Sequence, residues 1–249
     1  LALAALLVLV GGAIAAYSVF RPNLTPVERG RRLAEANGCF GCHGPGGIRG
    51  IPNPGRSDKT VPNYESELMM FASGPDEVRE WIEGGATAAR RESDTWQEER
   101  ARGVLRMPGY GRRLSKARID ELVAFVLAVN GQPSPEDSLP LLGRTRAEAL
   151  GCFGCHGPGG RFARPNPGSL KGYIPPWDGS DFPDIVKGRE EFGQWAENGV
   201  SDRFKNDPLA QFFLKRAPVK MRPYKGHLEP GDLDAIWAYV QWLRAREGR

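Results

Sequence analysis

The chain opens on an uninterrupted apolar run. Leu1 to Phe20 reads LALAALLVLVGGAIAAYSVF and carries no charge. A helix needs roughly 20 apolar residues to cross a bilayer, so the run predicts a transmembrane signal-anchor over 1–20. A cleaved leader is the competing reading, since Ala13-Ile14-Ala15 resembles a processing site. Gly11, Gly12, Ala15 and Ala16 make small-xxx-small spacings that would let another membrane helix approach, and Tyr17 suits the interface.

Beyond Arg21 the pattern turns amphipathic with a helical period. Thr25-Pro26-Val27-Glu28 is a capping box with proline at the first helical position. It predicts a helix from Pro26 to about Asn37, with Val27, Leu33 and Ala34 inward and Gly38 at its end. Pro75 to Glu83 predicts a second helix carrying Val78, Trp81 and Ile82, stopped by Gly84-Gly85. The charged stretch from Arg90 to Arg106 reads as a solvated loop or exposed helix. Ser115 caps a helix to Val129 whose inward face is Ile119, Leu122, Val123, Phe125 and Val126, with Asn130-Gly131 ending it. The last helix runs from Pro230 or Gly231 to about Ala245 and buries Leu233, Ile236, Trp237, Val240 and Leu243. No segment alternates as a strand would, so the predicted class is all-α.

The pattern repeats. Cys39-Phe40-Gly41-Cys42-His43-Gly44-Pro45-Gly46-Gly47 returns unchanged as Cys152-Phe153-Gly154-Cys155-His156-Gly157-Pro158-Gly159-Gly160. Gly143-Arg144 aligns with Gly30-Arg31, Trp195 with Trp81, Gly199 with Gly85, and Met221-Arg222-Pro223-Tyr224 with Met107-Pro108-Gly109-Tyr110. From first cysteine to methionine is 68 residues in one copy and 69 in the other. Such self-similarity indicates duplication of a whole small domain. The expected organisation is an anchor over 1–20, one domain over 24–131, a semi-rigid proline-rich linker over 132–137, and a second domain over 138–249.

Both copies contain C-x-x-C-H, the attachment signature of haem c. Two thiols at this spacing can each form a thioether to one porphyrin, and the following His is placed beneath the iron. All four cysteines and two of the three histidines are used this way. A zinc knuckle, a single four-thiolate zinc site, a redox dithiol or a pair of disulfides each leaves the repeated His without a purpose.

Composition changes this picture little. Hydrophobic residues at 40% and charged residues at 26% are ordinary for globular material. The 32 Gly and 21 Pro predict abundant loops, as suits a core partly supplied by a cofactor. A net charge of +4 is modest, and the four propionates of two haems would offset it, so nothing points to nucleic acid.

The order helix, C-x-x-C-H, Pro-Gly loop, middle helix, Met loop, closing helix resembles class I cytochrome c, over nearly all of 24–249. The resemblance implies an all-α fold of two tandem class I cytochrome c domains behind a transmembrane helix, with two covalently attached haem c groups. Cys39, Cys42, His43 and Met107 would hold one, and Cys152, Cys155, His156 and Met221 the other, the His/Met pairs being axial. The Met-Arg-Pro of the second copy departs from Met-Pro but keeps the spacing. The family orients its proximal His with a proline carbonyl about a dozen residues on. The candidates here are Pro54 and Pro167, with Pro52 and Pro165 as alternatives. Tyr110 and Tyr224 are placed to donate to propionates or to pack beside the Met. Met69, Met70 and His227 compete weakly as ligands. The first two read as packing residues and His227 as a surface or propionate contact.

A His/Met-ligated iron has no open position, so the expected activity is electron transfer rather than catalysis. The alternative is a dihaem cytochrome c peroxidase-like enzyme, which would need one displaceable ligand. The expected partners are membrane-embedded oxidoreductase subunits of a respiratory or photosynthetic complex, and an acidic carrier. The carrier would be steered by Arg106, Arg112 and Arg113 around one Met and by Lys215, Arg216, Lys220, Arg222 and Lys225 around the other. Because bacteria attach haem c outside the cytoplasm, the haem domains are expected on the periplasmic or outer face of the cytoplasmic membrane, tethered to the bilayer by residues 1–20.

Overall fold

A computed structural model describes residues 9–12, 17 and 23–246. Most of the apolar run read as a membrane anchor lies outside them, and among the described residues no helix is long and apolar enough to cross a membrane. The chain divides into two compact units. The first is Leu24–Glu136; the second starts at Asp137 and includes the described residues before Leu24. The division falls within the segment read as a linker.

The first unit contains helices α1 (Pro26–Ala36), α2 (Phe40–His43), α3 (Leu68–Phe71), α4 (Pro75–Gly84), α5 (Ala88–Arg91), α6 (Asp94–Arg102) and α7 (Lys116–Val129). Thr25 caps α1, its Oγ1 accepting from the Glu28 amide at 3.2 Å. The other half of the expected capping box is used differently. The Glu28 carboxylate is buried and accepts from Arg31 Nε and Nη2 at 3.0 and 2.9 Å. Ser115 caps α7, and the whole predicted face of that helix is buried. Phe125, at the centre, is 0% exposed. Burying such a side chain contributes roughly 1.5–3 kcal/mol, and its ring meets Phe40 and Tyr64 edge-on at 5.8 and 6.2 Å.

The second unit contains α8 (Ser138–Ala149), α9 (Cys152–His156), α10 (Phe182–Ile185), α11 (Arg189–Asn198), α12 (Asp202–Lys205), α13 (Pro208–Arg216) and α14 (Asp232–Arg244). It also holds strands β1 (Arg164–Pro165) and β2 (Tyr173–Ile174), paired antiparallel. The expectation of no strand is corrected to that extent: two residues on each side close the loop after the motif. Tyr239 takes the place of Phe125, meeting Trp177 and Phe153 at 6.2 and 6.3 Å.

In each unit the first and last long helices cross at a glycine. A Cβ on Gly30 would lie 1.9 Å from the Glu121 carbonyl oxygen of α7, and one on Gly143 1.9 Å from the Ala235 carbonyl oxygen of α14. Neither glycine needs a positive φ. What each needs is space, because backbone meets backbone there. The matching of Gly30 with Gly143 in the sequence repeat is therefore a packing requirement.

One expectation fails locally. Met69 and Met70 are 48% and 64% exposed rather than packed, because α3 is a single turn that buries only Leu68. The stretch from Arg90 to Arg106 is mostly solvent-facing as expected, holding the end of α5, the exposed helix α6 and a short loop.

The crossings set a test. Gly30→Ala and Gly143→Ala should each destabilise the protein by about 1–3 kcal/mol. Gly74→Ala, whose added Cβ meets nothing within 4 Å, should stay within about 0.5 kcal/mol of the parent. Denaturant midpoints measure all three.

Candidate haem sites

Each C-x-x-C-H motif forms a one-turn helix at the end of the first long helix of its unit. The turn α2 follows directly on Cys39, with the His43 amide bonded to the Cys39 carbonyl at 3.0 Å. One helical turn brings the two thiols to the same side. All four cysteines are free thiols. Burial pushes the Cys39 thiol up, and that of Cys152 up to about 11. Among the described residues no group of three or more His, Cys, Asp or Glu side chains could hold a metal ion.

The motif ends against a tight turn. A Cβ on Gly47 would strike the Tyr64 ring at 2.0 Å, and one on Gly160 the Trp177 ring at 2.5 Å. The same aromatics are fixed through their backbones, since Tyr64 donates to the Gly47 carbonyl and Trp177 to the Gly160 carbonyl, each at 2.7 Å. Their rings lie against the histidines, Tyr64 at 4.6 Å from His43 and Trp177 at 5.1 Å from His156.

The orienting prolines differ from those expected. His43 Nδ1 lies 2.7 Å from the Pro62 carbonyl oxygen, nineteen residues on. His156 has Pro175 at the same offset. That carbonyl favours the protonated ring, while His156 Nδ1 is buried and has no hydrogen-bond partner among the described residues. Pro54, Pro167, Pro52 and Pro165 are thus not the acceptors of these imidazoles. The loop after the motif is longer than the family spacing assumes, and the acceptors lie at its far end. The Pro54 carbonyl instead accepts from the Val104 amide at 3.1 Å, while Pro52 sits in a bridge to Thr60 and Pro165 in β1. Burial lowers the His43 imidazole against the opposing Pro62 carbonyl, and holds His156 down at about 4. Both rings are neutral at physiological pH, leaving a lone pair free to bind iron.

The Pro-Asn-Pro-Gly loop has another task. Asn53 is 5% exposed, accepts from the Leu105 amide at 2.9 Å and donates to the Leu105 carbonyl at 3.1 Å. Asn166, equally buried, does the same to Val219 at 3.1 and 2.9 Å. Leu105 and Val219 each stand two residues before the methionine. The other side of the Met segment rests on a left-handed glycine ending the middle helix. A Cβ on Gly85 (φ +71°) would lie 2.4 Å from the Met107 carbonyl oxygen, and one on Gly199 (φ +76°) 2.6 Å from that of Met221. Tyr110 and Tyr224 then donate their amides to Ile82 and Ala196 at 2.8 and 2.9 Å.

Met107 and Met221 are half-buried. In the second unit a cavity of about 1100 Å³ is lined by Cys152, Cys155, His156, Trp177, Met221 and Tyr224, among mainly apolar neighbours. It exceeds the roughly 300–1,000 Å³ usual for small-molecule sites, and all four residues expected to hold one haem face it. Unpaired thiols, a neutral buried imidazole and a thioether around one apolar cavity fit covalent haem c. The Tyr110 hydroxyl donates to the Asn37 carbonyl at 3.3 Å, on the cysteine side. Tyr224 lies near Cys152 and Cys155, with burial and then those thiols raising its hydroxyl. His227 is exposed.

Asn53, Asn166, Pro62, Pro175, Tyr64 and Trp177 were not singled out from sequence for these roles. A signal for them existed, because each pair occupies the same offset from its motif in the two copies.

Asn53→Ala and Asn166→Ala each remove two hydrogen bonds worth about 0.5–1.5 kcal/mol apiece. Hydrogen exchange at the Leu105 or Val219 amide should accelerate by roughly five- to 150-fold, the equivalent of about 1–3 kcal/mol, with exchange in the other unit unchanged.

Comparison with known proteins agrees for the first unit. The family model of cytochrome c matches residues 27–130, which supports a class I c-type cytochrome with covalently bound haem c there. No curated protein and no solved structure matches the chain.

Proposed function

We propose that the chain is a membrane-anchored dihaem c-type cytochrome that relays electrons, as a subunit of a respiratory or photosynthetic complex. The family match supports haem-based electron transfer by the first unit. The observation that carries the proposal to two haems is the cavity lined by Cys152, Cys155, His156 and Met221. Around it the second unit repeats the aromatic contact on the His, the asparagine clamp and the left-handed glycine.

Haem c, when bound, supplies a one-electron ferric–ferrous couple. The residues of the chain do the rest. The cysteines would hold the porphyrin covalently, and the neutral imidazoles of His43 and His156 and the thioethers of Met107 and Met221 would bind its iron. Asn53 and Asn166 hold the Met segments in place through their main-chain atoms. With both ligands engaged, no position would be left open for a substrate. This separates the proposal from the peroxidase-like alternative.

The anchor over 1–20, the outward-facing haem domains, the membrane partner and the acidic carrier at the basic Met-loop rims form part of the same proposal. Their support is the uncharged run Leu1–Phe20 and the cations around both methionines.

A pyridine haemochrome assay should give two haem c per chain, and the reduced protein should exclude carbon monoxide. One haem per chain, or carbon monoxide binding, would refute the closed dihaem reading. Met107→His and Met221→His should each lower the midpoint of one haem and leave the other nearly unchanged. Replacing 1–20 by a cleavable leader should release a soluble red protein; retention in washed membranes would show that the body itself binds there.

A further inference from the structure

The two units repeat each other closely around the histidine, but not in charge. The difference sits on the aromatic residue that packs on each proximal His, at three equivalent positions. Ile48 follows Gly46-Gly47 where Arg161 follows Gly159-Gly160. Glu65 follows Tyr64 where Asp178 follows Trp177. Asn130 Nδ2 donates to the Tyr64 carbonyl at 3.1 Å where Arg244 Nη1 donates to the Trp177 carbonyl at 3.1 Å.

In the second unit these positions form a partly buried ionic cluster. Arg161 Nε pairs with Asp178 Oδ2 at 3.0 Å, their side chains being 21% and 7% exposed. Arg244 also donates to the Gly179 carbonyl at 3.0 Å. Two guanidinium groups thus face one carboxylate. Asp178 Oδ1 is buried without a partner, and burial pushes that carboxyl up against the pull of Arg161, so the imbalance can only grow more positive. The first unit has an exposed isoleucine, an exposed glutamate and a neutral amide at the same places. The buried Glu28 of α1 does not reverse this, since Arg31 and Arg32 both reach it.

Net positive charge near a haem disfavours the ferric state, which carries one more positive charge than the ferrous. The effect is largest where water is excluded. The surface cations near the Met loops have the same bias, but solvent screens them. We infer that Arg161, Asp178 and Arg244 make the second haem the more easily reduced of the two, so that at equilibrium an electron given to the protein resides at the second site. One electron lost by the first iron is gained by the second, with no bond made or broken. The inference rests on the dihaem reading above.

The test is a spectroelectrochemical titration of the full chain, with each wave assigned by the Met107→His and Met221→His variants. The second wave is expected at the higher potential. Arg244→Asn, which installs the residue of the first unit, should lower that wave by roughly tenfold in its equilibrium constant, or about 59 mV for one electron. Arg244→Lys should keep it near the parent value, and Asp178→Asn should raise it. The far-red Met–iron band, retained in each variant, separates a change of field from a change of ligand. Equal midpoints, a higher first wave, or equal effects of Arg244→Asn and Arg244→Lys would overturn the inference. A haem content of one per chain would instead defeat the dihaem reading itself.

Discussion

A haem held between His and Met needs two segments that are distant in sequence to face each other at a fixed spacing. The interaction on which this depends is a buried primary amide. Asn53 and Asn166 each use one carbonyl and one N–H to grip both polar groups of a single residue in the Met segment. A carboxylate could only accept and an ammonium could only donate. An amide side chain offers a donor and an acceptor side by side, as a strand partner does. Because the group is neutral and both of its polar ends are paired, its burial desolvates no charge.

The rest of each unit keeps that grip in place. The glycine crossings bring first and last helices to backbone contact, which fixes where the one-turn cysteine helix begins. Trp81 and Trp195 tie the middle helix to the one-turn helix before it, α3 or α10, each indole donating to a carbonyl ten residues earlier at 2.9 and 3.2 Å. The ligand segments therefore rest on helices whose positions are set by backbone atoms, with side chains filling the space between them.

Much of this was legible in the sequence, for a physical reason. Helix period and caps are local, so α1, α4, α7 and α14 could be placed closely from Thr25, Pro75, Ser115 and the apolar face from Leu233 to Leu243. The C-x-x-C-H motifs are local as well. What the sequence hid were contacts across some fifty residues, such as Asn53 with Leu105, and loop lengths that displace a familiar contact, such as Pro62 in place of Pro54. Period alone was also too coarse for Met69 and Met70, where one turn has too few residues to show which side is wet. Repetition was the stronger instrument. The asparagine clamp that reasoning along one copy missed has a twin in the other, spanning 52 residues in the first and 53 in the second.

The glycines behind the methionines have a further consequence. Gly85 and Gly199 bear on a carbonyl oxygen, and the asparagines bear on main-chain atoms of Leu105 and Val219. Nothing in this cradle reads the side chains next to the methionine. The loop is therefore free to vary in sequence while the methionine stays put, as the two copies already do with Met-Pro-Gly-Tyr and Met-Arg-Pro-Tyr. A protein built this way can alter the side chains it exposes without shifting the backbone beneath them. Surface chemistry and main-chain position become separable properties of a four-residue stretch.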